Sequence, residues 1–328
     1  MAGSFEEIVA RATSQMFGGS QLSQNEEWVH SIIELGGDVF IAAQKIKRTP
    51  KILRPVAQYF IPELGKIKDH HATARRVIIP ILKERETQPE KPSDFLQWMS
   101  NSALGPEKDK AFIASTLLKL SFDAIRTSAA ALTQLLYDLC VMPQYIKPLR
   151  DEVQESLAEH GSFTKEALFR LDKLESFMKE ITFERLITKD YALSDGLVIP
   201  KGTTIGVPTQ AVSMDPDVYE NPEIFDGFRF VKLNHDCGVE NPRLQYASSN
   251  LDNMAFGYGR HACPGRFFAS CEIKMIMAYL LMHFDFKFPD EQKIRPPSLT
   301  FETQYLPDHT ATVLLKRRPS PCRVTFTD

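Results

Sequence analysis

The chain is poor in the features that mark the simpler functional classes. Cysteine occurs only five times in 328 residues, at irregular spacing. That excludes a disulfide framework and points to a reducing compartment. Neither sign of charge dominates, since 39 Lys and Arg face 42 Asp and Glu for a net charge of −3. So even a balance gives no electrostatic case for nucleic acid, and none is expected as a partner. No apolar run approaches the roughly 18 to 20 residues of a membrane-spanning helix. The most apolar stretch, Met275 to Phe284, reads as a core helix. The start, MAGSFEEIVARATSQMF, lacks the apolar centre of a signal peptide or anchor and carries acids early. Internal repeats and low-complexity tracts are missing too. What remains is an ordinary globular composition, 43% hydrophobic and 25% charged, expected to be soluble or peripheral to a membrane.

Residues 1–189 read as mostly helical. Asn25 followed by two glutamates predicts a capped helix start, with the helix running to Lys47. A second helix is predicted from Lys66 to Ile79, ended or kinked by Pro80. The polar, proline-bearing stretch Gln88 to Asp109 reads as a surface linker or loop. From Lys110 to Cys140 there is no Pro or Gly, and Leu117 to Leu136 is apolar almost all round. Such a helix is buried on most faces. Shorter helices are predicted at Leu149–His160, Thr164–Leu171 and Leu174–Leu186. After Lys189, Ser-Asp-Gly and Pro-Lys-Gly turns between strand-like runs predict hairpins. A helix is expected from Arg266 to His283, then strand-like runs from Ser298 to Lys316.

The most informative stretch is FGYGRHACPG, residues 256–265. Gly257 and Gly259 permit backbone conformations and close ligand approach that a side chain would block. Cys263 precedes Pro264 and Gly265 at the mouth of the following helix, where amide donors and the positive helix end favour thiolate. Pro264 suits a first helical turn. Arg260 and His261 add positive or hydrogen-bonding groups. Together they describe a seat for a large anionic ligand joined by a thiolate–metal bond. Two His-x-Cys pairs, His235/Cys237 and His261/Cys263, also suggest zinc. Zinc pairs are usually tighter, and zinc would leave Phe256, Gly259 and Gly265 without a reason.

This loop resembles F-x-x-G-x-x-x-C-x-G, the haem-thiolate signature of the cytochrome P450 family. The resemblance implies a single catalytic domain over residues 1–328, mainly α with small β-sheets, equivalent to the C-terminal two-thirds of that fold. Cys263 would be the axial ligand of haem b iron, with Phe256, Gly259, His261 and Gly265 lining the cofactor and His261 at a propionate. The 110–140 helix resembles the oxygen-binding I helix. Asp123-Ala-Ile-Arg-Thr-Ser128 lies at its oxygen site, so Thr127 would be the proton-delivery alcohol. Asp215 to Phe230 resembles the family's meander, with Arg229 as its structural arginine. Thr300 to Leu315 resembles the C-terminal hairpin. The implied function is monooxygenation of a small hydrophobic substrate, in fungal secondary metabolism, with electrons from NADPH through a reductase partner. Members are usually anchored to the endoplasmic reticulum, facing the cytoplasm.

The chain departs from the family in three places. Arg126 stands where an acid is usual, though a fungal subgroup has His there. LESFMKE ends at Glu180, the structural Glu of a Glu-x-x-Arg motif, but three residues on stands Phe183. Arg185, five on, would lie about 140° around a helix from Glu180, whereas residues three apart are neighbours. The sequence also begins near the family's E helix. These departures imply the alternative of a truncated, catalytically inactive remnant with weak or no haem binding.

Overall fold

The computed structural model describes residues 2–179, 183–186, 191–192, 198–199, 204–207, 212–236, 244–292, 294–301, 304–308 and 310–319. It divides into two compact units, Met1–Thr133 and Gln134–Asp328.

The first unit is helical: α1 Ala2–Gly18, α2 Ser20–Ser23, α3 Glu26–Arg48, α4 Arg54–Ala57, α5 Pro62–Thr87, α6 Phe95–Ser102 and most of α7, Lys110–Val141. Asn25 caps α3 as expected, its side chain accepting from the Trp28 amide at 2.9 Å. Trp28 is fully buried and donates its indole N–H to Ser14 Oγ at 2.9 Å. Helices α3 and α5 pack together, and their contact encloses a polar clasp. The buried His70 ring lies between Ser31 Oγ (2.9 Å) and Asp38 Oδ2 (3.1 Å), and Lys66 reaches Asp38 at 3.2 Å.

Two expectations fail in this unit. Helix α5 does not stop at Pro80 but carries it inside. A proline costs an amide bond locally, yet Ala74, Val77, Ile78, Ile81 and Leu82 are buried on both sides of it. Continuous burial of that face outweighs the lost bond. The stretch 88–109 is not a bare linker, because it contains α6 and a 3-10 turn, Gly105–Lys108. Asp94 starts α6 by accepting from the Gln97 amide at 2.9 Å, a capping signal that the surrounding prolines obscure.

Helix α7 matches its expected span. Ile113, Leu117, Leu118, Ile125, Leu132 and Leu136 are buried, but one stripe stays open. Phe112, Lys119, Asp123 and Thr127 lie on it at helical spacing and are exposed.

The second unit takes the last turns of α7, then α8 Ile146–His160, α9 Lys165–Phe169, α10 Asp172–Phe177, α11 Arg229–Asp236 and α12 Arg266–His283. Among the described residues its strands form four antiparallel pairs. β1 Phe183–Leu186 pairs with β4 Thr204–Val207, and β2 Tyr191–Ala192 with β3 Val198–Ile199. β5 Phe284–Lys287 pairs with β8 Leu314–Arg317, and β6 Leu299–Phe301 with β7 Gln304–Leu306. The fold is therefore mainly α with small sheets. The helix expected from Leu174 to Leu186 is corrected: α10 ends at Phe177, and 183–186 is strand. The strand is set by its antiparallel pairing with β4, which no local pattern announces. Arg185 stands opposite Ile205 in that ladder, so its angle around a helix no longer applies.

Helix α12 packs on α8, α9 and α10. Arg150 of α8 fastens its end, donating to Leu281 O and Phe284 O, each at 2.7 Å. Glu152 of α8 accepts from the Lys173 and Leu174 amides at the start of α10, at 2.6 and 3.0 Å. Burial pushes its carboxyl up to about 7 from an ordinary 4.5, although both amides pull it down. The folded chain thus keeps a proton that the unfolded chain releases between those values. Stability should fall as pH rises across that window, by on the order of 3 kcal/mol. Glu152→Gln is expected to flatten the slope, which urea midpoints at about pH 5 and about pH 8 would reveal.

Candidate functional site

The loop before α12 folds back on itself. The Cys263 amide donates to Phe256 O at 2.7 Å, and the Ala262 amide to Gly259 O at 3.0 Å. Gly257 (φ +75°) and Gly259 (φ +70°) both occupy the left-handed region, so the two glycines are required for the turn. The Gly257 amide donates to Met254 O at 2.8 Å, and Ser249 Oγ donates to Gly257 O. Between these ties, Gly259–His261 forms one 3-10 turn, with Arg260 and His261 exposed.

Cys263 is half-buried. Helix α12 begins at Arg266 with Gly265 at its N-cap, so Pro264 precedes the helix and is not in its first turn. A Cβ on Gly265 would lie 3.9 Å from Cys263 Sγ, in ordinary van der Waals contact with the sulfur. Arg266 donates to Cys263 O at 2.9 Å and lies 4.7 Å from the Phe267 ring centre. The half-buried Phe256 ring meets Tyr246 edge to face, 5.1 Å between centres. Tyr246 is buried, and burial, then the nearby Cys263, raises its phenol above the ordinary range.

The other expected residues are placed as follows. Thr127 lies in the first unit, and its hydroxyl donates to Asp123 O (2.9 Å) and Ala124 O (3.3 Å) of its own helix. Arg126 beside it points elsewhere. Its guanidinium is 3.5 Å from Glu6, and its chain lies over Gly36, where a Cβ would come within 2.5 Å of Arg126 Cδ. The missing side chain at Gly36 thus makes room for the unusual arginine. Half-buried Arg229 donates to Asn221 O (3.0 Å), Ile224 O (2.7 Å) and Glu220 O, binding the turn before α11 by its carbonyls. Gly227 in the same segment has no room for a Cβ, which would meet the Phe177 ring at 2.6 Å. Glu180 and Cys237 lie outside the described residues.

Three residues that sequence reasoning missed stand behind the loop. Buried Lys274 of α12 binds Glu175 Oε2 of α10 at 2.7 Å, and Glu175 Oε1 accepts the Tyr246 amide at 2.9 Å. Separations of 99 and 71 residues leave no local signal for either contact. Next to Glu180 in the chain, Lys179 lies 3.9 Å from the Phe230 ring centre and reaches Leu244 O at 3.4 Å. Burial lowers its ammonium to about 8.

The donor set bears on which group the loop would hold. Among the described residues no cluster of three or more His, Cys, Asp or Glu side chains is placed to bind a metal ion. A single soft thiolate donor fits a metal whose in-plane ligands come from a macrocycle, as in haem. Zinc would draw three or four ligands from the protein, and Cys237 of that alternative set lies outside the described residues.

Comparison with known proteins agrees. Residues 8–313 match the family model described as cytochrome P450. The chain is 36% identical over 327 residues to cytochrome P450 monooxygenase AN1598 of Emericella nidulans, covering 95% of this chain and 61% of that protein. It is 38% identical to ent-kaurene oxidase P450-4 of Gibberella fujikuroi, covering 95% of this chain and 64% of the relative. Among solved structures, the cytochrome P450DA heme domain superposes with a TM-score of 0.70 at 18% identity, covering 97% of this chain and 68% of that one. The chain spans about three fifths of the length of these curated relatives.

Proposed function

The chain belongs to the cytochrome P450 family, and from that premise we propose that it is a haem-thiolate monooxygenase. It inserts one oxygen atom of O₂ into a small hydrophobic organic substrate and releases the other as water. The two electrons come from NADPH through a reductase partner. The fungal monooxygenases among its relatives support a role in fungal secondary metabolism. Residues 1–328 act as one catalytic domain. The observation that carries the reading is the loop that presents the half-buried Cys263 sulfur ahead of α12.

Each residue has a definite task. Cys263 Sγ binds the iron of haem b, and the Phe256–Cys263 hydrogen bond fixes its direction. Gly259 and Gly265 keep the face beside the sulfur flat, and Phe256 keeps water from it. His261, exposed at the turn, contacts a propionate. When bound, the haem supplies O₂ reduction and O–O cleavage, helped by electron density from the thiolate. Thr127 holds a proton at its hydroxyl, exposed on the open stripe of α7. Arg229 and Glu180 are structural. The cytoplasmic side of a membrane is the proposed location. Among the described residues no helix is long and apolar enough to cross one. However, Ile52, Tyr59 and Phe60 are 86%, 81% and 79% exposed. No acid lies between Asp38 and Glu63, while Lys45, Lys47, Arg48, Lys51 and Arg54 do, which suits an anionic lipid surface.

A second reading, an inactive chain with weak or no haem binding, is favoured by Phe183, which stands in a strand where the family's helix arginine is expected. The reduced, carbon monoxide-bound absorption spectrum of the haem-supplied chain decides between them. A thiolate-type Soret band supports the enzyme, and its absence selects the inactive chain. In an active chain, Thr127→Ala should leave the band in place and divert NADPH electrons to hydrogen peroxide. Unchanged peroxide yield would leave Thr127 as a helix residue bonded to its own backbone.

A further inference from the structure

We propose that the buried Lys274–Glu175 ion pair is a positioning device for the Cys263 sulfur, acting through Tyr246 and Phe256. The inference rests on the haem-thiolate reading and adds residues that the loop signature does not contain.

The contacts form one continuous path within the second unit. Lys274, 3% exposed, must spend its charge on protein groups, and it donates to Leu168 O (3.2 Å) and Glu175 Oε2 (2.7 Å). A buried ammonium without such partners is strongly disfavoured. The pair pins the Glu175 carboxylate, whose other oxygen accepts the Tyr246 amide at 2.9 Å. Tyr246 is therefore held from its backbone, and its buried ring braces Phe256 edge to face. The Phe256 carbonyl in turn accepts the Cys263 amide at 2.7 Å. Each link fixes the next: charge fixes a carboxylate, the carboxylate an amide, a ring a ring, and a carbonyl the residue that bears the sulfur. α10 and α12 supply the rigid ends. The motif arginine expected three residues after Glu180 is replaced by Phe183, which leaves Lys274 as the buried cation that this path is built on. Lys274, Glu175 and Tyr246 are positioning residues and not catalytic. They act through the loop backbone.

The path predicts which variants matter. Tyr246→Leu keeps the amide but loses the ring brace, whereas Tyr246→Phe keeps both. Glu175→Gln with Lys274→Met removes both charges yet keeps an acceptor for the Tyr246 amide. Glu175→Leu with Lys274→Met removes the acceptor as well. The readout is the iodoacetamide alkylation rate of Cys263 in the haem-free full chain, measured by peptide mass spectrometry against the same peptide alkylated after unfolding. Loosening the loop should raise that rate about tenfold in Tyr246→Leu and in Glu175→Leu/Lys274→Met. Tyr246→Phe should stay within about twofold of the parent, whereas Glu175→Gln/Lys274→Met, whose acceptor is no longer pinned by a charge, should rise several-fold, and an unchanged rate there would remove the ion pair from the path. In the haem-loaded chain, the first two variants should also lose thiolate-type absorption while helical circular dichroism is kept. Unchanged alkylation in Tyr246→Leu would overturn the path, and so would an equal rise in Tyr246→Phe. The two Tyr246 variants decide the matter even if the Glu175→Leu double variant fails to fold. The haem-thiolate reading fails separately, if the parent chain lacks the thiolate band or Cys263→Ala retains it.

Discussion

Cys263→Ala should abolish the thiolate-type Soret band of the reduced, carbon monoxide-bound chain, while Cys140→Ala and Cys271→Ala leave it intact. The three cysteines differ in surroundings, not in chemistry. Burial pushes the Cys140 thiol up to about 12, so at neutral pH it stays a thiol. Burial also raises Cys271, within α12, where its amide belongs to the helix ladder. Cys263 alone of the three lies on a loop, with its amide tied to Phe256 O and with Gly265 leaving space beside the sulfur. Cys237→Ala and Cys322→Ala, outside the described residues, should likewise have no effect. The loss should be nearly complete, because the band reports one bond. A thiolate band of normal height in Cys263→Ala would sink the assignment, whatever the activity.

The loop was legible because its demands are local. Left-handed glycines, a cysteine and a helix start fall within ten residues, and each has a short-range cause. The same holds for the Asn25 cap, the unbroken span of α7 and the limits of α12. Where the sequence misleads, a distant partner decides. Pro80 looks like a helix end until the buried face on both sides of it is counted. Residues 183–186 look like the continuation of a helix until β4 pairs with them. Arg126 reads as a break in the oxygen-site pattern, and only the packing of α1 and α3 shows Gly36 and Glu6 receiving it. Lys274, Glu175 and Tyr246 have no signature at all, since an ion pair and an amide contact join segments far apart in the chain.

The largest stability loss in the first unit is expected at Asp94, which does two jobs there. Its carboxylate receives Arg85 in a two-pronged contact, Nη1 to Oδ1 at 2.7 Å and Nη2 to Oδ2 at 2.5 Å. Both residues are buried, at 4% and 9% exposure. The same Oδ1 caps α6 through the Gln97 amide. Asp94→Ala leaves the Arg85 guanidinium with only Gly18 O at 3.1 Å, and Arg85 Nε already has no partner. Breaking one side of a buried pair costs about 3–5 kcal/mol, and losing the cap adds about 1 kcal/mol. Whole domains hold only about 5–15 kcal/mol, so the variant should unfold at much lower urea. Asp94→Asn separates the two jobs, because Asn keeps the cap and loses only the charge. Adding Arg85→Met to Asp94→Asn should recover much of the loss by removing the stranded cation. As a control, Asp151→Ala breaks only the exposed pair with Lys147 and should cost at most about 1 kcal/mol. Urea unfolding followed by circular dichroism measures all four. If Asp94→Ala costs no more than the control, water or a rearranged Arg85 satisfies the site, and the pair is not what holds α5 to α6.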